Sequence, residues 1–478
     1  MVRTSEFRRL SVMRAMSRFC SATLGASAIA AVLCSQGGAV EAAEQAALPA
    51  AVLERLETIR LLKAENFKEL EIRFAKVAAM AEANPSVDWN SVYTISAFDT
   101  ADPGIVRPLN HWREAYPESF APYLAFGLYS THIGWTVRGS GTVRYTNAAR
   151  FVEMKKYFEA ATASLRTSLK YNPKIGIAWG ELINIAKTSG DHRAVDTIFA
   201  EALTHVPKSS WVYGAYYDAL APKWGGSAAQ QFALRLRMQS MFPGNPDFAW
   251  VATVEDREAA WNLYWNDKNV EALATFDDLI GRGDGSGSHR GRALSLRDLG
   301  KYEEAVAEFQ RVVEMDPGDP EAYAELGEIQ ATKKEYWAAA RRNMGIALML
   351  DPYNPAFLVI RANFMMSHAK LNAAKRDLDN ALLLGALDDR VRDSLRRYDA
   401  IIGDDKAAMA ESENMLRLVP GNLNNLLSYG MAFFTRQDCR AGPVFERYLT
   451  VCRKLKECDE GQQEYVASLL FSIRNSCN

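Results

Sequence analysis

A proline recurs along this chain at the close of helical runs, on a nearly fixed beat. Pro173 in KYNPK, Pro207 in THVPK and Pro243 in MFPGNP stand 34 and 36 residues apart. Pro317 in MDPGDP is followed 35 residues later by Pro352, and 68 after that, two steps of 34, by Pro420. The skipped beat falls at LLLGALDD, where Gly385 ends the helix in place of proline. Proline lacks the N–H a helix needs and its ring clashes with the preceding turn, so each beat marks a stop. Between stops the apolar residues fall three or four apart: Tyr302, Ala305, Val306, Phe309, Val312 and Val313 paint one helical face. A register held from Pro173 to Pro420 predicts an all-α solenoid of antiparallel helix pairs, each burying its apolar face only against its neighbours. The 74 residues from Pro243 to Pro317 are two units with a small insertion, which the glycines place at GRGDGSGS, Gly281 to Ser288.

The segment GKYEEAVAEFQRVVEMDPGDPEAYAELGEI, Gly300 to Ile329, carries small residues where paired helices touch and an aromatic knob between neighbours. In this it resembles the tetratricopeptide-repeat (TPR) family. The match is best over 286–385, with Ala293, Ala305, Leu326, Gly327, Ala339 and Ala347 at small or apolar positions. The resemblance extends over about two-thirds of the chain and implies a right-handed superhelix of helix pairs. The earlier part differs in character, because nine of the ten tryptophans lie between Trp89 and Trp265. HWREAYPESF, WTVRG and PKWGGS mark it as similar, over roughly 50–245, to an uncharacterised bacterial domain of TPR-like helices. No activity comes with that resemblance. The expected organisation is a leader at 1–42, a tryptophan-rich TPR-like domain at 43–282 and TPR repeats at 283–478.

The leader is read from Arg3, Arg8, Arg9, Arg14 and Arg18, the apolar FCSATLGASAIAAVLC, and small residues at Val40 and Ala42. A basic start, a short apolar core and a small-residue cleavage site describe a secretory signal peptide, cut after Ala42. An uncleaved anchor is the rival reading, but the run is short and alanine-rich for a membrane span. Without residues 1–42 the chain holds 51 basic and 56 acidic side chains, a formal charge of -5. That balance argues against nucleic acid or an anionic membrane as partner, and no later segment is apolar enough to span a bilayer. The expected location is periplasmic or secreted.

Four cysteines then remain, all in the last forty residues, which in an exported chain predicts two disulfides. Cys439 and Cys452 lie near opposite ends of one helix, about 20 Å apart at 1.5 Å per residue. An antiparallel final helix brings Cys477 back to Cys439 and leaves Cys452 to Cys458, stapling the cap of the array. A redox or metal role is the alternative, though no Cys-x-x-Cys is present.

No motif argues for an enzyme, a cofactor or a metal. The six histidines are scattered, GRGDGSGS lacks the Lys-Ser/Thr of a phosphate loop, and no Gly-x-Ser-x-Gly occurs. The expected task is binding a protein or peptide, as an exported scaffold. In the groove formed by first helices, the register points Arg290, Arg297, Glu328, Met365 and Met366 inward. A basic pair beside methionine would suit an acidic or C-terminal peptide; ordinary solvated charges are the plainer account. Trp224 of PKWGGS falls in the turn inside a pair, with Gly225 and Gly226 free for positive φ and Ser227 capping the next helix. It either covers the edge of its own pair or joins Trp135 and Arg138, at the WTVRG turn, in a recognition surface. The alternative function is binding a glycan or envelope polymer by stacking sugars on these tryptophans.

Overall fold

The computed structural model describes residues 48–477, apart from 85, 90, 91, 140, 142 and 456–459. The expected leader and its cleavage site lie outside the described residues, as does Cys458. No strand occurs among the described residues.

The first hairpin is α1 (Ala50–Lys63) and α2 (Phe67–Ala83), with Asn66 capping α2 by accepting from the Glu69 N–H. Irregular chain follows, broken by the short α3 (Tyr93–Ser96) and a 3₁₀ turn at Pro103–Ile105, before α4 (Val106–Ala115). Next come the long partners α5 (Ala121–Arg138) and α6 (Ala148–Tyr171). Phe74 and Trp112, both fully buried, meet edge to face at 5.3 Å between ring centres and tie α2 to α4.

From there the pairs are regular. They are α7 (Gly176–Ala186) with α8 (His192–His205) and α9 (Ser210–Ala219) with α10 (Ala228–Met241). Then come α11 (Val254–Trp265) with α12 (Asn269–Gly281) and α13 (Ser286–Asp298) with α14 (Tyr302–Met315). Next are α15 (Pro320–Gln330) with α16 (Trp337–Leu350) and α17 (Pro355–Ser367) with α18 (Leu371–Gly385). Last are α19 (Asp389–Ile401) with α20 (Asp405–Leu418), α21 (Leu423–Phe434) with α22 (Ala441–Leu455), and the closing helix α23 (Glu460–Cys477). The asparagines and aspartates beside the punctuating turns explain where first helices begin. Asp319, Asn354, Asp388 and Asn422 each accept from an early backbone N–H of α15, α17, α19 and α21.

First helices start 32 to 35 residues apart except between Ser210 and Val254, where 44 intervene. The insertion is therefore the 3₁₀ segment Pro246–Ala252 ahead of α11, not GRGDGSGS. The latter is an ordinary turn followed by the start of α13, with Gly283 at φ +85. Its glycines mark a tight reversal, while the real insertion is rich in aromatics that pack, as Phe242 and Phe248 do at 4.0 Å. The buried cluster that begins at Leu61 ends at Val254, and a second begins at Ala260.

The punctuating turns also dock the N-terminal half. Arg55 of α1, 3% exposed, donates to the carbonyl of Gly318, and a Cβ at Gly318 would lie 2.6 Å from the Tyr93 ring. Asp351, 0% exposed, accepts from the Ala101 N–H, from the Thr100 hydroxyl at 3.5 Å and from Asn354 at 2.9 Å. It also pairs with His132 Nε2 of α5 at 2.9 Å. Arg150 of α6 pairs with Asp388 at 2.9 Å and donates to the carbonyls of Leu387 and Val137. Asn147 donates to Leu418 O at 2.9 Å. Four successive turns thus each take a contact from the first 150 residues.

At the other end, Cys439 and Cys477 face each other with Cα atoms 5.7 Å apart, the geometry of the expected bridge. Cys452 is buried beneath α23, beside Val466 and Leu470 in one cluster.

Replacing Asp351 with alanine strands a buried imidazole and an amide N–H at once. The expected loss is about 3–5 kcal/mol in urea unfolding. Asp379→Ala, which removes only an exposed i,i+4 pair with Lys375, is expected to stay within about 0.5 kcal/mol of the parent.

Candidate functional site

Two concave features stand out. The first runs across α17, α19 and α21. Residues three or four apart share one helical face, and here that face carries Val359 and Asn363, then Arg390, Ser394 and Arg397, then Asn424, Asn425 and Ser428. With Glu328 of α15 they line a hollow of 420 Å³. A second hollow of 470 Å³ shares Asp388, Asp389, Arg390, Asn422 and Asn424 with it and continues to Tyr465 and Arg150. The side-chain amides in this groove are underused: Asn363 Oδ1 and Asn425 Nδ2 are buried and have no hydrogen-bond partner among the described residues. Burial raises the Glu328 carboxyl above its ordinary range, against the pull of Arg297 and Arg390.

The residues expected to make a basic groove are arranged otherwise. Arg290 is surrounded by carboxylates: Asp319 at 2.5 Å, Glu325 at 3.0 Å and Glu321 at 3.5 Å. Arg297 pairs with Asp298 at 2.7 Å and reaches the Tyr264 hydroxyl at 3.2 Å. Met365 is half-buried against Ala340, Met344 and Phe364, in the joint between α16 and α17, and Met366 is buried. The open basic pair beside methionine is therefore corrected: both cations are already neutralised and the methionines are packing. Of the inward-pointing set only Glu328 lines the groove.

The second feature is a cavity of 360 Å³ in the N-terminal half. Trp89, Trp135 and Trp211 contribute to its walls, with Asp99 from the loop after α3, His132 from α5, and Glu181, Asn184 and Lys187 from α7 and the turn that follows it. Trp135 is not in a turn, as WTVRG suggested. It sits in the last turn of α5, half-buried, with its ring edge-on to Phe158 at 5.3 Å, and Gly139 at φ +70 ends the helix beyond it. Arg138 is occupied in fastening that end: it donates to the carbonyls of Gly139 and Gly141 and lies 5.7 Å from the Phe151 ring centre.

Trp224, in the short 3₁₀ turn Pro222–Trp224, is half-buried. Its ring faces Lys187 of the preceding pair at 5.3 Å and Lys223 of its own at 5.9 Å. Lys187 in turn is ion-paired with Asp218, bonded to Asn184 at 2.9 Å, and lines the cavity. Trp135 and Trp224 thus stand at one cavity, the first in its wall and the second behind its lysine, and not on a shared edge of turns. Gly225 takes φ +94 as expected, but Gly226 is needed for a different reason: a Cβ there would lie 2.0 Å from Leu220 O. Ser227 caps α10 by accepting from the Gln230 N–H.

Charge in this cavity is shaped by burial. Burial raises the Asp99 carboxyl above its usual range, and the cations of His132 and Arg55 only partly offset it. Glu181 is pushed up to about 7, mainly by burial and then by the negative charge of Asp99. For His132 burial favours the neutral ring, but the Asp351 charge and hydrogen bond prevail and raise its pKa. Sequence reasoning singled out none of Trp89, Asp99, His132, Glu181 or Trp211, because they come from five separate segments with no shared spacing. Among the described residues no cluster of side chains suits a metal ion, and no helix is long and apolar enough to cross a membrane.

The raised groups set a pH dependence. Asp99, Glu181, Glu325 (also pushed up to about 7 by burial) and His132 bind protons more tightly folded than unfolded. Each contributes stability that is complete below its unfolded pKa and lost as pH rises through its folded value. Asp351, held below the usual range, is ionised throughout and adds a constant contribution above about pH 4. The melting temperature is therefore expected to be higher at pH 5 than at pH 8, by several degrees, with most of the fall below pH 7. In the Glu181→Gln/Glu325→Gln variant the groups facing these carboxyls remain: Asp99, Asn184 and Lys187 at one, Arg290, Asp319 and Glu321 at the other. Thermal melts of that variant should show a flatter profile; a parent profile that is level or rising with pH contradicts this electrostatic reading.

Comparison with known proteins places these features. Residues 54–202 match the model of a domain of unknown function, DUF4034, and residues 293–334 match that of a TPR repeat. No curated protein matches the sequence. Similar solved structures include a thermophilic TPR protein of Thermus thermophilus, 19% identical over 37% of this chain and 97% of that one, with a TM-score of 0.35. A TPR protein of Parabacteroides merdae is 14% identical over 63% and 99%, at 0.39. A chain of the APC/C hetero-tetramer Cut9-Hcn1 is 12% identical over 80% and 62%, at 0.45. The cavity lies in the stretch of the first model and its flank, and the groove, apart from Glu328 within the matched repeat, lies beyond it on helix pairs that keep its period. The chain carries TPR repeats and, ahead of them, a DUF4034 domain.

Proposed function

We propose that the protein is an exported interaction scaffold whose groove across α17, α19 and α21 takes an extended peptide segment of a partner protein. The observation that carries this reading is the pair of buried, unpartnered amide groups, Asn363 Oδ1 and Asn425 Nδ2, in one groove. A side-chain amide offers the same donor and acceptor as a peptide bond, so it pairs with a partner's main chain whatever its sequence. Leaving such groups buried and unmet costs about 1–3 kcal/mol each, and a bound backbone recovers that cost. Arg390, whose side chain is 52% exposed, and Arg397 add cations toward which a partner carboxylate would be drawn. Export is supported by the leader-like first 42 residues and by the facing Cys439 and Cys477. Such a role needs no reaction.

Selection of peptides from a random displayed library on the full chain tests this. Binders recovered against the parent are expected to lose about tenfold or more in affinity to the Asn363→Ala/Asn425→Ala variant, with its urea midpoint little changed. Equal binding by parent and variant would move the peptide site out of the groove.

A further inference from the structure

Four of the ten indole nitrogens are bonded within the fold. Trp112 donates to Glu71, Trp179 to Pro173 O, Trp250 to Ser210 and Trp337 to Ala331 O. Three others are buried with no hydrogen-bond partner among the described residues: Trp89, Trp211 and Trp224. Trp89 and Trp211 line the 360 Å³ cavity, and Trp224 lies behind its Lys187. Trp89 itself is 2% exposed, and Ser96, also in the lining, has a buried hydroxyl with no partner. Two of these unmet donors thus belong to residues that line one cavity, and the third stands behind it.

The acceptors are equally uncommitted. The Asp99 carboxylate accepts no hydrogen bond among the described residues, and Glu181 takes only a long one of 3.4 Å from Asn184. The cations around the cavity are already spoken for, Lys187 by Asp218 and His132 by Asp351. An anion would therefore meet two carboxyls and no free cation. An ammonium ion would suit Asp99 and Glu181 but could not accept from Trp89, Trp211 or Ser96. A hydroxyl both donates and accepts, so a ring bearing several of them answers both sets at once. Aromatic walls offer flat apolar faces to the ring's C–H groups. The volume is at the small end of ligand pockets, about 300–1,000 Å³, room for one ring and not for a long chain.

We propose that this cavity binds one neutral sugar residue, a pyranose, either free or at the end of a glycan. Asp99 and Glu181 accept from its hydroxyls, Trp89 and Trp211 donate to them, and Trp135 and Trp211 flank the ring.

Tryptophan fluorescence and calorimetric titration of the full chain test this, with a panel of neutral monosaccharides, oligosaccharides ending in the same residues, choline and glycine. The expected result is saturable binding of at least one neutral sugar. Glu181→Gln and Asp99→Asn should each weaken it about tenfold, and Trp211→Phe, which keeps the ring and removes the N–H, several-fold. Trp337→Phe, outside the cavity, should leave it unchanged. Glu181→Gln keeps the side chain's size and serves as the deciding variant if Asp99→Asn lowers the unfolding midpoint. Tighter binding of the oligosaccharide identifies a glycan end as the source, and equal binding a free sugar; both uphold the site. Absence of sugar binding at millimolar concentration, binding of choline or glycine instead, or sugar binding untouched by Glu181→Gln and Trp211→Phe overturns it. Peptide binding in the groove is a separate measurement, so either reading can fail alone.

Discussion

A single carboxylate with no exposure, Asp351, joins the end of α16 to the loop around Thr100 and Ala101 and to His132 of α5. Burying a charge pair is expensive, and its attraction rarely does more than offset the desolvation. What Asp351 supplies is register. Its neighbours in the row, Gly318 with Arg55, Asp388 with Arg150 and Leu418 with Asn147, repeat the arrangement on successive turns. A slip of the N-terminal half by one helix pair would leave Arg55, His132 and Arg150 buried without partners at the same time. Removing one partner of such a pair costs several kcal/mol, so three mismatches together would exceed the stability of an ordinary domain. The polar docking contacts choose one alignment; the apolar area beneath them, including Tyr353 and Leu384 packed against the first core, supplies the adhesion.

This docking shapes both concave features. Arg150 sits where the N-terminal half ends and the open groove begins, bonded to Asp388 and lining the adjoining hollow. The groove across α17, α19 and α21 is lined by residues of the repeat half alone among the described residues, while Gly141, Thr146 and Arg150 border the adjoining hollow. At the cavity, His132 faces two ways: its Nε2 is held by Asp351 of the repeat half while its ring lines the space beside Asp99. The charge on His132, and through it the environment of Asp99, is therefore set by a residue more than two hundred positions away in sequence. A change that loosened the docking would alter the cavity without touching its walls.

The period was legible in the sequence because it rests on local chemistry: proline stops, Asx caps and helical spacing are decided within a few residues. The same holds for Ser227 as a cap and for the approach of Cys439 to Cys477, which follows from two continuous antiparallel helices. What local chemistry does not fix was misplaced. WTVRG looked like a turn because it ends in Gly139, yet nothing within Trp135–Arg138 stops α5 earlier. Arg290 looked available because its ion partners, Asp319, Glu321 and Glu325, come from the next pair and meet it only after stacking. The insertion was assigned to glycines, while the extra segment Pro246–Ala252 is anchored by Phe248 and Val251, both buried, with Phe248 stacked on Phe242. Asn363 and Asn425 resemble any other asparagine until their missing partners are seen.

The distribution of tryptophan has a physical reason as well. Regular pairs repeat the same small gap, which alanine, leucine and methionine fill, as Ala305, Leu326 and Met344 do. In the first half the hairpins are unequal in length and separated by irregular chain, so the gaps differ and are larger. Trp89 and Trp112, each almost fully buried, fill them, and Trp179 fills the first regular pair against this irregular part. A large ring brings one polar atom with it, and that atom must find a partner. Where the surrounding backbone turns back on itself, as at Pro173 for Trp179, it does. At the junction of α3, α5, α7 and α9 no carbonyl or carboxylate closes on the nitrogens of Trp89 and Trp211, and the space between them stays open. A packing defect of pure geometry would be lined by apolar atoms and would stay dry. This one is lined by two carboxyls, an imidazole, an amide and an ammonium, groups whose burial costs stability. The imidazole, the amide and the ammonium are met within the fold, by Asp351, Lys187 and Asp218; the two carboxyls, Glu181 with one long hydrogen bond and Asp99 with none among the described residues, are what mark the cavity, more than any motif, for the ligand proposed.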